Sequence, residues 1–190
     1  HRHLSQLYPV YPGYDITEKD TLLFEAAELG FHHRLNNWSG WTGWSRAWSI
    51  ALASRFGDGD LAGKQVELMM RGQIFPNMFG VHKRGGHDVY VIDGNLGSLA
   101  GISEMLLQSH QGYVELLPAL PTNWEKGSIK GLSARGGFFV DIEWENGKLT
   151  NAVIRSRTGN KCKLKYGGKS IDFDTEKGAS YSFDNALNIK

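Results

Sequence analysis

The stretch VIDGNLGSLAGISEMLL, residues 91–107, decides how the rest of the chain is interpreted. Its first residues are typical of a buried extended segment, and a glycine-rich turn that carries Asp93 follows. A helix is predicted next, with Asn95 as its N-cap and apolar residues at helical spacing behind it. Gly94 and Gly97 predict close backbone approach and positive φ at the turn. A carboxylate at this place is either a structural cap or a catalytic group, and these residues alone favour neither.

Three amphipathic helices are predicted upstream of this stretch, over residues 17–30, 44–56 and 61–74. Thr17 is the expected cap of the first helix and Gly30 its expected end, while Asp60 is the expected cap of the third. In the third helix, Met69 and Met70 are both expected to face inward. Consecutive helices with no strand between them indicate a helix bundle or an α/α toroid.

Near residue 111 the hydrophobic period changes from that of helices to that of strands. Short strands are predicted over residues 113–117, 138–144, 149–155, 161–166, 170–173 and 179–183. Asn146-Gly147 predicts a tight hairpin, and Gly167-Gly168 a second turn. Short strands at a spacing of about 8–12 residues are typical of a β-sandwich. We therefore expect a helical domain over residues 1–112 and a strand domain over 113–190, with a tail from residue 184.

Composition limits the function classes. The 190 residues carry a net charge of +1, with no basic run of the kind that nucleic acids or membrane surfaces attract. No apolar run approaches ~20 residues, so no membrane span is expected. The single cysteine, Cys162, cannot form an internal disulfide. Because the sequence opens at His1 with neither an initiator methionine nor a signal peptide, we expect a fragment, a processed chain or an engineered piece.

The motifs present favour hydrolysis with a positioned water. The sequence has no Gly-x-Ser-x-Gly nucleophile elbow and no phosphate-binding glycine loop, and no cofactor is expected. His82 and His87 lie five residues apart in a glycine-rich segment, a poor spacing for metal ligands, so no metal site is expected. Carboxylate, amide and imidazole groups remain as the chemical groups of a site.

Several segments occur together in the order typical of one family. They are residues 1–5 (HRHLS), 8–13 (YPVYPG), 43–48 (GWSRAW), 58–60 (DGD), 76–79 (PNMF), 92–97 (IDGNLG), 104–110 (EMLLQSH), 116–121 (LLPALP) and 131–137 (GLSARGG). Through them the chain resembles the C-terminal portion of glycoside hydrolase family 95, the inverting α-L-fucosidases. The resemblance implies an α+β multidomain fold, with the second half of an (α/α)6 barrel followed by a C-terminal β-sandwich.

The resemblance also implies roles for individual residues. Asp93 would activate an asparagine that orients the attacking water, while the general acid and the paired asparagines lie outside this chain, so the isolated chain is expected to be inactive. His3, or alternatively His1, would help to hold the fucose. A second pocket histidine would be His87 or His82, because different spacings favour each of them.

The resemblance leaves the substrate open. Trp41, Trp44 and Trp48 are candidate platforms for a sugar ring, although Trp44 and Trp48 fit the helical core better. Gln6, Val91 and Leu96 stand where the family has other residues, and residues 83–90 replace a short His-Pro-Pro-Phe segment. Two alternatives to a fucosidase therefore remain: a non-catalytic carbohydrate-binding or scaffold fragment, and an inverting exo-glycosidase for another sugar.

The family further implies a fucosylated oligosaccharide or glycan as the substrate and a secreted or periplasmic location. Half a toroid leaves apolar helix faces exposed. We therefore expect the missing part of the barrel, or another chain, to cover these faces.

Overall fold

The structure is a computed structural model that describes residues 2–37, 40–84 and 87–190. The chain divides into two compact units, His1–Met105 and Leu106–Lys190. The first unit is mainly helical and the second is built of strands. The helices precede the two larger sheets, as predicted, but one two-stranded hairpin lies between the helices.

Four α-helices and one hairpin form the described part of the helical unit. They are α1 (Thr21–Asn36), α2 (Gly43–Arg55), α3 (Gly59–Gly72), β1 (Val81–Arg84), β2 (His87–Tyr90) and α4 (Ile92–Leu106). The hairpin was not predicted, and its antiparallel register pairs Val81 with Tyr90 and His82 with Val89. It lies directly before α4 and so determines which side chains approach the start of that helix.

The stretch at residues 91–107 folds differently from the prediction at its start. Helix α4 begins at Ile92, so Asp93 lies in its first turn and not in a turn that precedes it. Asn95 is not the N-cap, because its side chain binds the preceding loop: Oδ1 accepts from the Gly80 N–H at 2.5 Å, and Nδ2 donates to the Met78 carbonyl at 2.7 Å. Gly94 and Gly97 lie inside the helix, and the predicted positive φ is wrong for both.

The glycines of α4 do allow the predicted close approach, and α2 is the element they contact. A Cβ on Gly97 would lie 2.9 Å from the Cβ of Ala47, and one on Gly101 would lie 2.8 Å from the Cβ of Ile50. Helix α2 is the centre of the unit, since ten of its thirteen residues are buried. Small residues on one helix therefore place α4 against the core helix.

Two helix starts and one helix end differ from the prediction. Asp20 caps α1 by accepting from the Leu23 N–H at 3.3 Å, and Asp58 caps α3 by accepting from the Leu61 N–H at 2.8 Å. Thr17 and Asp60 are therefore not the caps. Helix α1 also continues through Gly30, because the next residue, Phe31, is fully buried and its ring packs 5.6 Å from that of Phe56.

Apolar side chains of the helical unit are divided between core and surface. Met69 is buried as predicted, but Met70 is exposed, because consecutive side chains leave a helix about 100° apart. Leu22 is 78% exposed and Leu29 73% exposed on α1, and Leu99 of α4 is 64% exposed. These helices thus present apolar faces to solvent.

The strand unit contains two four-stranded sheets. Its strands are β3 (Leu107–Gln108), β4 (Val114–Leu116), β5 (Lys126–Ala134), β6 (Phe138–Glu145), β7 (Lys148–Ser156), β8 (Cys162–Tyr166), β9 (Lys169–Phe173) and β10 (Ser180–Phe183). One sheet has the order β10-β7-β6-β5 and is antiparallel throughout. The other has the order β3-β4-β8-β9, in which β4 and β8 are parallel.

Turn chemistry sets the register of the first sheet. Asn146 and Gly147 have φ values of 53° and 68°, the left-handed pair that a two-residue hairpin needs between β6 and β7. Side chains on alternate positions of β6 are buried, from Phe138 to Trp144. The C-terminal segment is not a loose tail, because Leu187 is buried and Ile189 forms a bridge with Phe183. No described helix has the length and apolar character that crossing a membrane requires.

Candidate active site

A cavity of about 210 Å³ in the helical unit brings together three of the predicted site residues. Its lining includes Asp93 from the first turn of α4, His82 from β1, and His3 from the N-terminal segment. Arg2, Thr42, Gly43, Trp44 and Val91 complete the lining. Residues far apart in sequence thus meet at one end of α2 and α4.

His3 is held by hydrogen bonds from two sides. Its ring nitrogen Nδ1 lies 2.5 Å from the Ser45 hydroxyl oxygen, and its carbonyl accepts from Arg34 Nη2 at 2.9 Å. The Ser45 hydroxyl donates to the Arg2 carbonyl at 3.3 Å and accepts from the Thr42 hydroxyl at 3.1 Å. These contacts hold the His3 ring in place beside the cavity.

The charge state of His3 depends on its surroundings. Burial lowers the pKa of His3 from its ordinary value of 6.5, the positive charge of Arg2 lowers it further, and the carboxylate of Asp93 opposes both effects. The ring is therefore neutral near pH 7. A neutral imidazole can both donate a hydrogen bond to a hydroxyl group and accept one from it.

Asp93 supplies negative charge to the cavity. Its Oδ1 accepts a hydrogen bond from the Gly94 N–H at 2.7 Å, which orients the carboxylate at the start of α4. The N-terminal end of a helix dipole favours a negative charge at this position. The effect of Asp93 on the pKa of His3 shows that the two groups interact electrostatically.

The other predicted site residues lie elsewhere. His87 is exposed on β2, its backbone opposite that of Arg84, and it does not line this cavity. Trp41 lines a different cavity of the helical unit. His1 lies outside the described residues.

Trp44, one of the candidate sugar platforms, is part of this lining. Arg2 and Thr42 were not among the predicted site residues. The only sequence signal for these two residues is their position. Arg2 lies next to His3 in the His-Arg-His segment, and Thr42 opens the Thr-Gly-Trp segment at the start of α2.

The described residues support neither a metal centre nor a cysteine nucleophile. No group of three or more histidine, cysteine, aspartate or glutamate side chains is placed there to hold a metal ion. Cys162 is fully buried in the strand unit, and burial, with the nearby charge of Asp172, raises the pKa of its thiol to about 12. This thiol is protonated at neutral pH and is no nucleophile.

Comparison with known families matches both units to one family. Residues 1–106 match the profile described as "Glycosyl hydrolase family 95 catalytic domain". Residues 108–186 match the profile described as "Glycoside hydrolase family 95, C-terminal domain". The resemblance drawn from the sequence motifs is confirmed.

Similar curated proteins carry related names. The chain is 34% identical over 200 positions to "Alpha-L-fucosidase 2" of Arabidopsis thaliana, an alignment that covers 98% of this chain and 23% of that protein. It is 28% identical over 193 positions to "Probable alpha-fucosidase A" of Aspergillus niger, covering 90% of this chain and 24% of that protein. The chain thus spans roughly a quarter of the length of these relatives.

Proposed function

Because this chain belongs to glycoside hydrolase family 95, we propose that it forms part of the active site of an inverting α-L-fucosidase. The substrate would be a glycan that ends in an α-linked L-fucose. The observation that carries this proposal is the cavity in which Asp93, His3 and His82 converge. The names of the two similar proteins support the same substrate class.

Asp93 would act on the side of the attacking water. Inversion needs an acid and a base on opposite faces of the sugar, roughly 6.5–9.5 Å apart, with water between the base and the ring. An amide is a weak base, so an asparagine that orients the water needs a charged neighbour, and Asp93 is the carboxylate that lines this cavity. In this proposal the asparagine and the general acid come from outside the 190 residues, and the isolated chain binds fucose without hydrolysing it.

His3 and His82 would hold the sugar. A cavity of about 210 Å³ suits one sugar ring better than an oligosaccharide. The imidazole of His3, held through Nδ1 by Ser45 and lining the cavity, is a group that can hydrogen-bond a sugar hydroxyl. The apolar face of Trp44, also in the lining, can pack against the ring carbons.

The fold proposal follows from the same family. We infer that α1–α4 form part of an (α/α)6 barrel and that the two sheets, which begin with β3, form a β-sandwich. The exposed leucines Leu22, Leu29 and Leu99 support the first inference, because further barrel helices or another chain would cover them. Burial of alternate positions on β6 supports the second.

The test uses Asp93→Asn in the longest natural polypeptide that contains this sequence, assayed with an aryl α-L-fucoside and with fucosyllactose. We expect kcat to fall at least a hundredfold, roughly 2.7 kcal/mol or more of transition-state stabilisation, while fucose still binds. Asp88→Asn is the matched control, because Asp88 is an exposed aspartate on β2, five residues before Asp93, and does not line the cavity. Unchanged turnover in Asp93→Asn would reject the role of this carboxylate.

A second candidate function is hydrolysis of another sugar. The hairpin of β1 and β2 stands where the family has a short His-Pro-Pro-Phe segment, and it carries His82 into the cavity. A panel of aryl glycosides separates the two candidates, because a fucosidase will turn over the α-L-fucoside fastest. If the longest natural polypeptide that contains this sequence binds fucose but turns over none of the panel, the non-catalytic alternative is favoured.

A further inference from the structure

A second cavity of the helical unit, of about 440 Å³, is unused by the proposed reaction. It lies between α1, α2 and α3 and is lined by His32, Asn36, Trp41, Arg46 and Gln65, together with three leucines. It shares no lining residue with the Asp93 cavity. Trp44 and Arg46 are two positions apart on α2, so their side chains leave the helix in directions about 200° apart. The two cavities thus lie on different sides of α2.

Arg46 gives this second cavity an unbalanced positive charge. Its Nη1 donates to Gln65 Oε1 at 2.7 Å, a neutral partner, and its Nε is buried with no hydrogen-bond partner among the described residues. The ion pairs found in the described part of the chain do not include Arg46. Burial lowers the pKa of Arg46, but a guanidinium stays charged at neutral pH.

Such an arginine favours an anionic ligand of a particular shape. A partly buried charge without a counterion is costly, and a group that neutralises it on binding recovers that cost. The planar guanidinium matches a carboxylate, which can accept two parallel hydrogen bonds from it. A protonated amine or a second cation would be repelled at this place.

The rest of the lining suits a sugar ring. Trp41 is 47% exposed, so a broad indole surface is open to a ligand. The amides of Asn36 and Gln65 offer donors and acceptors for hydroxyl groups. An aromatic surface with a few convergent polar groups, in a volume of this size, is typical of small-molecule sites.

We propose that this cavity binds a sugar that carries a carboxylate, such as a hexuronic acid residue of a glycan. Arg46 would pair with the carboxylate, and the ring would pack on Trp41. The site would make the protein prefer acidic glycans without taking part in bond cleavage. This proposal does not depend on the role of Asp93.

Calorimetric titration of the full chain with D-galacturonate and with D-galactose tests the proposal, because the two sugars differ in the carboxylate. We expect the acid to bind at least tenfold more tightly than the neutral sugar. Arg46→Gln should reduce the affinity for galacturonate to that for galactose, and Trp41→Ala should weaken both sugars at least severalfold. Arg71→Gln is the matched control, because Arg71 is an exposed arginine of α3 that pairs with Glu67, and it should change neither affinity.

Three outcomes would overturn the proposal: equal affinity for the two sugars, unchanged galacturonate binding in Arg46→Gln, or acetate binding as tightly as galacturonate. If Arg46→Gln fails to fold, as judged by far-ultraviolet circular dichroism, Arg46→Lys decides. It keeps the charge but loses the two-point geometry, so a loss of galacturonate affinity at least severalfold, with intact folding, is expected. Full retention of affinity in Arg46→Lys would also count against the proposal.

Discussion

The two units of the chain differ in where their apolar side chains go. In the strand unit, Val140, Ile142, Ile154 and Leu164 are fully buried, and Ile189 is the one exposed large hydrophobic residue among those described there. The helical unit exposes many, including Leu22, Leu96 and Leu99, and it also contains the two cavities described above. The strand unit therefore buries nearly all of its large apolar side chains. The helical unit exposes apolar faces that another surface can cover, and it has two cavities in which a ligand can bind.

The largest test of this difference is the stability effect of shortening a leucine in each unit. Leu164→Ala, in the middle of β8, should lower the free energy of unfolding by about 2–5 kcal/mol, because it opens a cavity in a closed core. Leu22→Ala, at a side chain 78% exposed, should change it by less than about 0.5 kcal/mol. Urea unfolding followed by circular dichroism measures both. A large loss in Leu22→Ala would mean that α1 is covered in solution, in contrast to the exposed face described above.

The same difference explains which parts of the fold the sequence predicts. Strands of the second unit follow from a period of two and from turns such as Asn146-Gly147, and both signals are local. Helix ends in the first unit depend on tertiary contacts. Helix α1 continues past Gly30 because Phe31 is fully buried and packs against the Phe56 ring. Asn95 does not cap α4, because its side chain accepts from the Gly80 N–H fifteen residues upstream.

A smaller effect is expected from the packing of α4 against α2. Gly101→Ala would place a Cβ 2.8 Å from that of Ile50, so the helices must separate, and we expect a loss of about 1–3 kcal/mol. Gly30→Ala is the matched substitution, because a Cβ there meets no described atom within 4 Å. It should stabilise the chain by roughly 0.5–1 kcal/mol through helix propensity. If the two variants change stability in the same direction, the close contact between the two helices is not formed in solution.

The candidate site was predictable in part for a similar reason. Asp93 and His3 belong to short sequence motifs, so the family resemblance named Asp93 and also named His3, with His1 as its alternative. Sequence spacing could not decide between His82 and His87, because their positions depend on a hairpin whose residues give little strand signal. Trp41 lies three residues before Trp44, yet the two side chains line different cavities, since Trp41 lies in the segment before α2 and Trp44 in the first turn of that helix.

The strand unit should show a modest acid sensitivity of its own. Arg155 donates to both oxygens of Asp141, at 2.5 and 2.8 Å, and this pairing holds the pKa of Asp141 below its ordinary value of 3.8. A carboxylate with a depressed pKa in the folded state contributes stability that is present above the unfolded-state value and is lost as the pH falls through the folded-state value. Below about pH 4 the wild type should therefore lose roughly 1 kcal/mol or less from this pair, since Arg155 is partly exposed.

Urea unfolding at pH 6 and pH 3 checks this, with Asp141→Asn as the variant and Glu143→Gln, an exposed neighbour on β6, as its control. The stability difference between wild type and Asp141→Asn should shrink at pH 3, and that between wild type and Glu143→Gln should change less. A pH-independent difference in Asp141→Asn would show that the pair acts through geometry alone.

The smallest expected effect tests the cavity that Asp93 and His3 line. Because the Asp93 carboxylate raises the pKa of His3 against the effects of burial and Arg2, Asp93→Asn should lower that pKa further. Titration of the His3 ring resonances by NMR measures the shift, and Asp88→Asn, exposed on β2 and outside the lining, should leave it unchanged. A shift in Asp93→Asn alone shows that the two groups face one cavity in solution before any substrate arrives, which a purely structural cap at the start of α4 does not require. An unchanged or raised pKa of His3 would place the carboxylate away from His3. That result would contradict a site that is already formed in the helical unit.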